Sequence, residues 1–217
     1  MDTKDYLRAL QEEIHSAVFA TIDKEGRPHT RVIDIMLADA DSIYFITAKG
    51  KLFYEELMAQ KYVAISGMTG GEGADITHAS LEKKAISLRG TVEDIGSDIL
   101  EKVFEENPYM AEIYPDANAR MALTVFKMTD GEGEFFDLST KPITRANFTL
   151  GRKTSEVDAV RGGYYITDKC HGCRICYSKC PQKCIDMSTK PLVIQQEHCL
   201  HCGTCMSVCP FGAIEKR

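Results

Sequence analysis

The chain has 217 residues, with 26 Lys and Arg against 32 Asp and Glu and a formal net charge of −6, long enough for one domain of ordinary size and a small second one. The charge is unevenly divided: residues 1–150 carry 16 basic against 26 acidic side chains, and residues 151–217 carry 10 against 6, so the mildly basic tail lacks the clustered face that nucleic acid requires. No apolar run approaches the roughly 20 residues of a membrane span, and the opening MDTKDYLRAL is charged where an export signal needs an apolar core, which predicts a cytoplasmic protein with no membrane partner.

Taken in chain order, Leu7, Leu10 and Ile14 recur at helical spacing and predict an amphipathic helix over residues 3–15. The period then falls to two. Residues 17–22, 30–37, 42–47, 62–66, 84–92, 122–128 and 134–137 are short runs rich in Val, Ile, Phe and Thr, and turn signals at 23–26, 38–41 and 130–133 bound them. Many short antiparallel strands with few helices predict a mainly β domain closed as a barrel. Two helices interrupt it, over 51–60 and over 97–106, the latter with Ser97 as its N-cap. Residues 68–77, with Gly70, Gly71 and Gly73, read as hairpin slack and not as a phosphate cradle. The weak patterning between 138 and 163 predicts a barrel over 1–140, a linker over 141–163 and a small α+β domain over 164–217.

The last domain holds nine cysteines, eight of them in two copies of one pattern: Cys170, Cys173, Cys176 and Cys180 before Pro181, then Cys199, Cys202, Cys205 and Cys209 before Pro210. Each ligand of the first run plus 29 gives one of the second, an internal repeat with the spacing of a bacterial-type ferredoxin holding two 4Fe–4S clusters. In that arrangement the last cysteine of each run serves the other cluster, which assigns Cys170, Cys173, Cys176 and Cys209 to one and Cys199, Cys202, Cys205 and Cys180 to the other. The ninth, Cys184, maps onto Ala213 and reads as a small buried residue, not a ligand. Zinc sites pair two Cys-x-x-Cys units across a longer gap, and evenly spaced thiols in a reducing cytosol do not call for disulfides. Arg174, Lys179 and Lys183, between the ligands of the first run, either raise that cluster's potential or merely solubilise the module. His171, His198 and His201 tune the clusters or face solvent.

The run from Thr30-Arg31-Val32-Ile33 to Leu37, then Tyr44 to Lys51, then Leu57 and Val63 to Ser66, with the ending Gly133 to Asp137, resembles the FMN-binding split-barrel family of pyridoxamine 5′-phosphate oxidase. The resemblance covers about residues 1–150. It implies that Arg31, Thr47, Lys49 and Lys51, with the adjoining Val32, Ile33 and Ala48, hold FMN. It also implies a homodimer with flavin at the subunit interface. A phosphate dianion suits a guanidinium fork, a hydroxyl and an ammonium, and Lys51 stands at a helix start where backbone N–H groups add to them. The oxidase's amide side chain on a later strand is replaced by Ala85, and its substrate-phosphate arginines have no counterpart, so vitamin B6 oxidation is not implied.

Flavin beside cubanes predicts an oxidoreductase that passes electrons between the clusters and FMN, to or from a small-molecule substrate or a soluble redox partner. Two alternatives stay open: an electron carrier or adaptor without a small substrate, and a barrel that binds haem or a deazaflavin. No general acid stands out, His29 and His78 reading as ordinary histidines.

Overall fold

The computed structural model describes residues 1–69, 83–151 and 162–217. Their contacts divide the chain into two units, the first built from residues 1–69, 85–134 and 148–151, the second from 83–84, 135–147 and 162–217.

The first unit opens on helix α1, Thr3–Ala9, started by reciprocal bonds: the Asp2 carboxylate accepts from the Asp5 N–H, and the Asp5 carboxylate accepts from the Asp2 N–H. The predicted helix over 3–15 widens after Ala9 into a π turn, Leu10–Ile14, which keeps Leu7, Leu10 and Ile14 buried. Strands β1 (Ser16–Ile22), β2 (Pro28–Asp34), β3 (Leu37–Ala38), β4 (Ile43–Ala48), β5 (Tyr62–Met68), β6 (Lys84–Asp94), β7 (Leu123–Asp137) and β8 (Thr144–Leu150) make one sheet in the order β2-β1-β5-β6-β7-β4-β3, with β8 paired to β7. This curled, mainly antiparallel sheet is the predicted barrel fold. Helix α2, Leu52–Gln60, follows β4.

Alternation along the strands decides which face is buried. Phe19 and Thr21 of β1 lie opposite Arg31 and His29 of β2, and this face takes α2 and the aromatic core. Phe45 meets Phe19 at 4.8 Å and Phe126 at 5.6 Å, with Phe53 of α2 stacked on Phe45 at 6.0 Å. Each such ring, fully removed from water, stabilises the fold by roughly 1.5–3 kcal/mol. A second cluster gathers Met36, Leu37, Ile46, Val125 and residues of α3, Leu100–Glu106.

Several predicted boundaries move, each for a physical reason. Residues 130–133 do not turn the chain: β7 runs unbroken through them, because their glycines serve close approach. A Cβ on Gly90 would meet the Asp130 carbonyl, one on Gly131 the Arg89 carbonyl, and one on Gly133 the Phe148 ring. The predicted linker contains β8, whose Phe148, Thr149 and Leu150 are buried, and Phe148 stacks on Tyr6 at 4.9 Å. Ser97 is not an N-cap. The segment 96–99 is a turn and α3 starts at Leu100 without a side-chain cap. Two short helices, α4 (Met110–Ile113) and α5 (Ala117–Arg120), were too brief to show a period, and Asp116 caps the second by accepting from the Ala119 N–H at 2.9 Å. Of the predicted glycine loop, Gly70, Gly71 and Gly73 lie outside the described residues, as does His78.

In the second unit β9 (Tyr164–Ile166) pairs with β12 (Ile214–Lys216) and β10 (Ile185–Asp186) with β11 (Val193–Ile194). Its core joins Tyr164, Ile185, Leu192, Ile194 and Ile214 to Cys176, Cys184, Cys199 and Cys205. Among the described residues no helix is long and apolar enough to cross a membrane.

Candidate functional site

The cysteine repeat is also a repeat of backbone shape. Gly172 (φ 74°) matches His201 (φ 52°), Arg174 (φ 62°) matches Gly203 (φ 76°), and Lys183 (φ 55°) matches Gly212 (φ 57°), each pair 29 residues apart. Both copies need the left-handed region at the same three places, and each pair meets it with one glycine and one ordinary residue. The first of these turns aims a backbone N–H at the cysteine two residues back: Gly172 N–H donates to Cys170 Sγ and His201 N–H to Cys199 Sγ, both at 3.4 Å. Helices Ile175–Lys179 and Thr204–Ser207 then carry Cys176 and Cys205 inward.

Two small cavities result. Cys170, Cys173, Cys176 and Cys209 line the first, with Ile166, Leu192 and Phe211; Cys180, Cys199, Cys202 and Cys205 line the second. Each is therefore lined by three cysteines of one run and one of the other. Four convergent thiols in a small, mostly apolar cavity fit a 4Fe–4S cubane, for which thiolate is the selected ligand.

The second cavity holds a fifth thiol. Cys184 is buried, as its match to Ala213 predicts, but its Sγ lies 3.6 Å from Cys180 Sγ. The neighbouring Cys199 pushes the Cys184 thiol up, and Cys184 in turn brings Cys199 down. Burial raises Cys205 to about 11 and also raises Cys176. Residues 135–147 complete this side of the unit: the Ile143 N–H donates to Gln182 Oε1 at 3.2 Å, the Ile143 carbonyl lies 2.8 Å from His198 Nδ1, and the Arg145 charge acts on Cys199. His171 packs on Phe211, ring centroids 4.4 Å apart, and His201 edges the Tyr164 ring. Lys183 donates to the carbonyls of Tyr177 and Ser178 and caps the end of their helix, whereas Arg174 and Lys179 are exposed.

In the barrel unit the predicted flavin residues fall in two places. Thr47 lies next to the end of β4, and its Oγ1 is buried with no hydrogen-bond partner among the described residues. Ala48 closes the strand, Lys49 and Gly50 form the turn that follows, and Lys51 is the N-cap residue of α2, which has no side-chain cap. Both lysines are exposed. An orphaned hydroxyl, an uncapped helix start and two ammonium groups fit a phosphate. Arg31 is engaged elsewhere. On edge strand β2 its guanidinium donates to Thr21 Oγ1 at 2.7 Å and to Glu56 Oε2 at 2.8 Å, and it lies over the Phe53 ring at 4.4 Å. Val32 points outward with 66% exposure, and Ile33 and Ala48 are half-buried.

Glu56 is the residue that sequence reading missed. Its side chain is 4% exposed and gathers Arg31, Thr21 and His29, whose Nδ1 is 2.9 Å from Oε1. Burial alone would push this carboxyl up, but the hydrogen bonds from His29, Thr21 and Arg31, with the Arg31 charge, hold it at about 2. A Glu within a helix carries no local signal of such a role, which depends on which face of the sheet α2 covers.

One unit is a split-barrel sheet, and the other carries the two cysteine-lined cavities of a ferredoxin-like domain. The pattern of the family described as pyridoxamine 5′-phosphate oxidase matches residues 3–135, and that of the 4Fe–4S dicluster domain matches residues 169–213. The chain belongs to the pyridoxamine 5′-phosphate oxidase family and carries a C-terminal domain that binds 4Fe–4S clusters. A NimC/NimA family protein from Clostridium acetobutylicum superposes on 68% of this chain and 92% of its own length with a TM-score of 0.53 and 20% identity. A haem-binding protein from Mycobacterium smegmatis does so over 69% and 58% with a TM-score of 0.52 and 14% identity; at these identities the likeness is one of fold. Among curated relatives, the indolepyruvate oxidoreductase subunit IorA of Thermococcus kodakarensis is 41% identical over 54 residues, 24% of this chain and 8% of its own length. A component of the ion-translocating oxidoreductase complex of Methanosarcina acetivorans is 42% identical over 48 residues, 22% and 18% of the two chains. This chain thus spans less than a fifth of either relative.

Proposed function

We propose that the chain is an FMN-dependent oxidoreductase in which two 4Fe–4S clusters exchange electrons with the flavin, and through it with a small-molecule substrate or a soluble redox partner. The observation that carries this reading is the sorting of eight cysteines into two quartets, each drawn from both runs, in a chain whose other unit belongs to a flavin-oxidase family. When bound, FMN supplies the exchange between one-electron and two-electron chemistry that cubanes alone lack. Thr47, Lys49, Lys51 and the start of α2 hold its phosphate. Arg31, kept in place by Glu56, steadies α2 against β2 and so fixes the Lys51 turn. The cysteine quartets hold the clusters, and the apolar residues around them exclude water.

A second copy of the chain completes the barrel. Val18 and Val32 are cross-strand partners on the outer face of β1 and β2, and Tyr62 and Met68 line the adjoining β5; all four are exposed. An apolar patch spanning three neighbouring strands favours a homodimer across this face.

Anaerobic purification followed by iron, sulfide and flavin analysis tests the cofactors, with about eight irons and one FMN per chain expected. Stopped-flow reduction of the flavin by a reduced ferredoxin then compares the full chain with its Cys202→Ser variant. Equal rates would remove the clusters from the flavin's electron route, and FAD, haem or a deazaflavin in place of FMN would overturn the cofactor reading.

A further inference from the structure

The two clusters have unequal surroundings although their ligands repeat. Around the first, the residue four places after the last cysteine of the second run is Ala213, which offers the ligand sulfurs a backbone N–H that donates to Cys209 Sγ at 3.4 Å and no side-chain donor. Around the second, the matching position is Cys184, buried at 2% exposure, lining the cavity with the four ligands and 3.6 Å from Cys180 Sγ. A cubane has four iron corners, and Cys180, Cys199, Cys202 and Cys205 already supply four thiolates. A fifth thiol in the same cavity has no iron corner to bind, and a ligand sulfur lies within its reach.

We propose that Cys184 is a positioning residue for the second cluster: its S–H donates to the ligand sulfur of Cys180 and sets this cluster at a higher reduction potential than an alanine at the same place would. The physical reason lies in the charge. Reduction adds one electron and forms or breaks no bond, and the added negative charge is shared by the ligand sulfurs. A donor aimed at those sulfurs therefore stabilises the reduced state more than the oxidised one. Hydrogen bonds to the sulfurs are one of the main means by which a protein tunes a cluster. The repeat thus carries a built-in difference between its halves at one position, which gives an electron a preferred resting place within the pair.

This inference rests on the quartet assignment, and iron content tests that assignment separately. Wild-type protein, Cys184→Ala and Cys184→Ser are purified anaerobically as full chains, their iron and sulfide measured, and their cluster midpoints read by EPR-monitored redox titration. The expected result is undiminished iron in all three, one midpoint moved to lower potential in Cys184→Ala with the other unmoved, and a smaller displacement in Cys184→Ser, which keeps a hydroxyl donor. As a reciprocal arm, Ala213→Cys places a thiol beside Cys209 and raises the other midpoint. Unmoved midpoints in Cys184→Ala overturn the proposal, as do equal displacements in the Ala and Ser variants, which would mark a packing effect. Iron loss confined to Cys184→Ala would make Cys184 a ligand and overturn it too, whereas iron below four per chain in the wild type would sink the quartets themselves.

Discussion

Replacing Glu56 by Gln separates two roles for Arg31, a brace for α2 or a free phosphate ligand. Two unit charges 2.8 Å apart attract by about 6 kcal/mol at an effective dielectric of about 20, an upper figure before desolvation is counted. Breaking such a pair by removing one partner costs about 3–5 kcal/mol when both groups are buried. Here the Arg31 side chain is 16% exposed and keeps the Thr21 hydroxyl, so about 3 kcal/mol is expected for Glu56→Gln at pH 7. Arg31→Met and the double variant close the cycle, with a coupling of about 2–3 kcal/mol between the two side chains. Urea unfolding of the full chain, followed by far-UV circular dichroism, reads all four proteins. The pH dependence has a definite sign. Glu56 is held at about 2 against an ordinary 4.5, so its contribution is complete above pH 4.5 and is lost as pH falls from there toward 2. The gap between wild type and Glu56→Gln should narrow over that interval, a comparison at equal pH that cancels cluster loss common to both. A coupling under about 0.5 kcal/mol, the size of an exposed pair, would refute the brace and return Arg31 to the flavin phosphate.

Arg174→Gly removes a left-handed non-glycine residue whose repeat partner, Gly203, is already glycine, and should stabilise the cluster unit by about 1 kcal/mol in chemical unfolding, less than the roughly 1–2 kcal/mol cost of that conformation because glycine also loosens the unfolded chain. Gly133→Ala drives a methyl group into the Phe148 ring and should destabilise the barrel by about 1–3 kcal/mol, visible as a lower urea midpoint. Lys51→Ala should weaken FMN binding in a fluorescence titration by about 1.5–3 kcal/mol, the worth of one charge-assisted contact; undiminished affinity would move the phosphate away from the α2 turn.

What could be read in advance follows from how local each signal is. The cysteine quartets were legible because ligation demands a residue type at a spacing, and the loops that meet it are a few residues long. Strands β1, β2, β4, β5 and β6 were legible because one buried face writes a period of two, whereas the two-residue β3 was absorbed into the run over 30–37 and the turn after it. Residues 130–133 misled for the opposite reason: Gly131 and Gly133 answer to Arg89 and Phe148, positions 42 and 15 residues away in sequence, so glycines that look like a turn are clearance for a crossing backbone and ring. Strand β8 hid in the apparent linker because its burial depends on Tyr6 at the far end of the chain.

The same distinction explains why the metal side of this protein is written more plainly than the flavin side. Every proposed cluster ligand is a cysteine, a residue with few structural uses at that density, so type and spacing together leave little else to argue. The barrel's polar residues are common ones, and a common residue acquires meaning only from its neighbours. Arg31 reads as a phosphate ligand from its strand alone, and Glu56, a helical residue 25 positions on, gives it a counter-charge and a competing role as a brace. Thr47 read as one hydroxyl among many until its Oγ1 proved buried without a partner among the described residues. Cys184 crosses the two cases: its identity drew attention, its match to Ala213 argued for packing, and only its place 3.6 Å from Cys180 Sγ supports the proposed role of donor to the cluster. A repeat tells which positions correspond, and the position where two copies of one ligand frame carry different chemistry is where their properties should part.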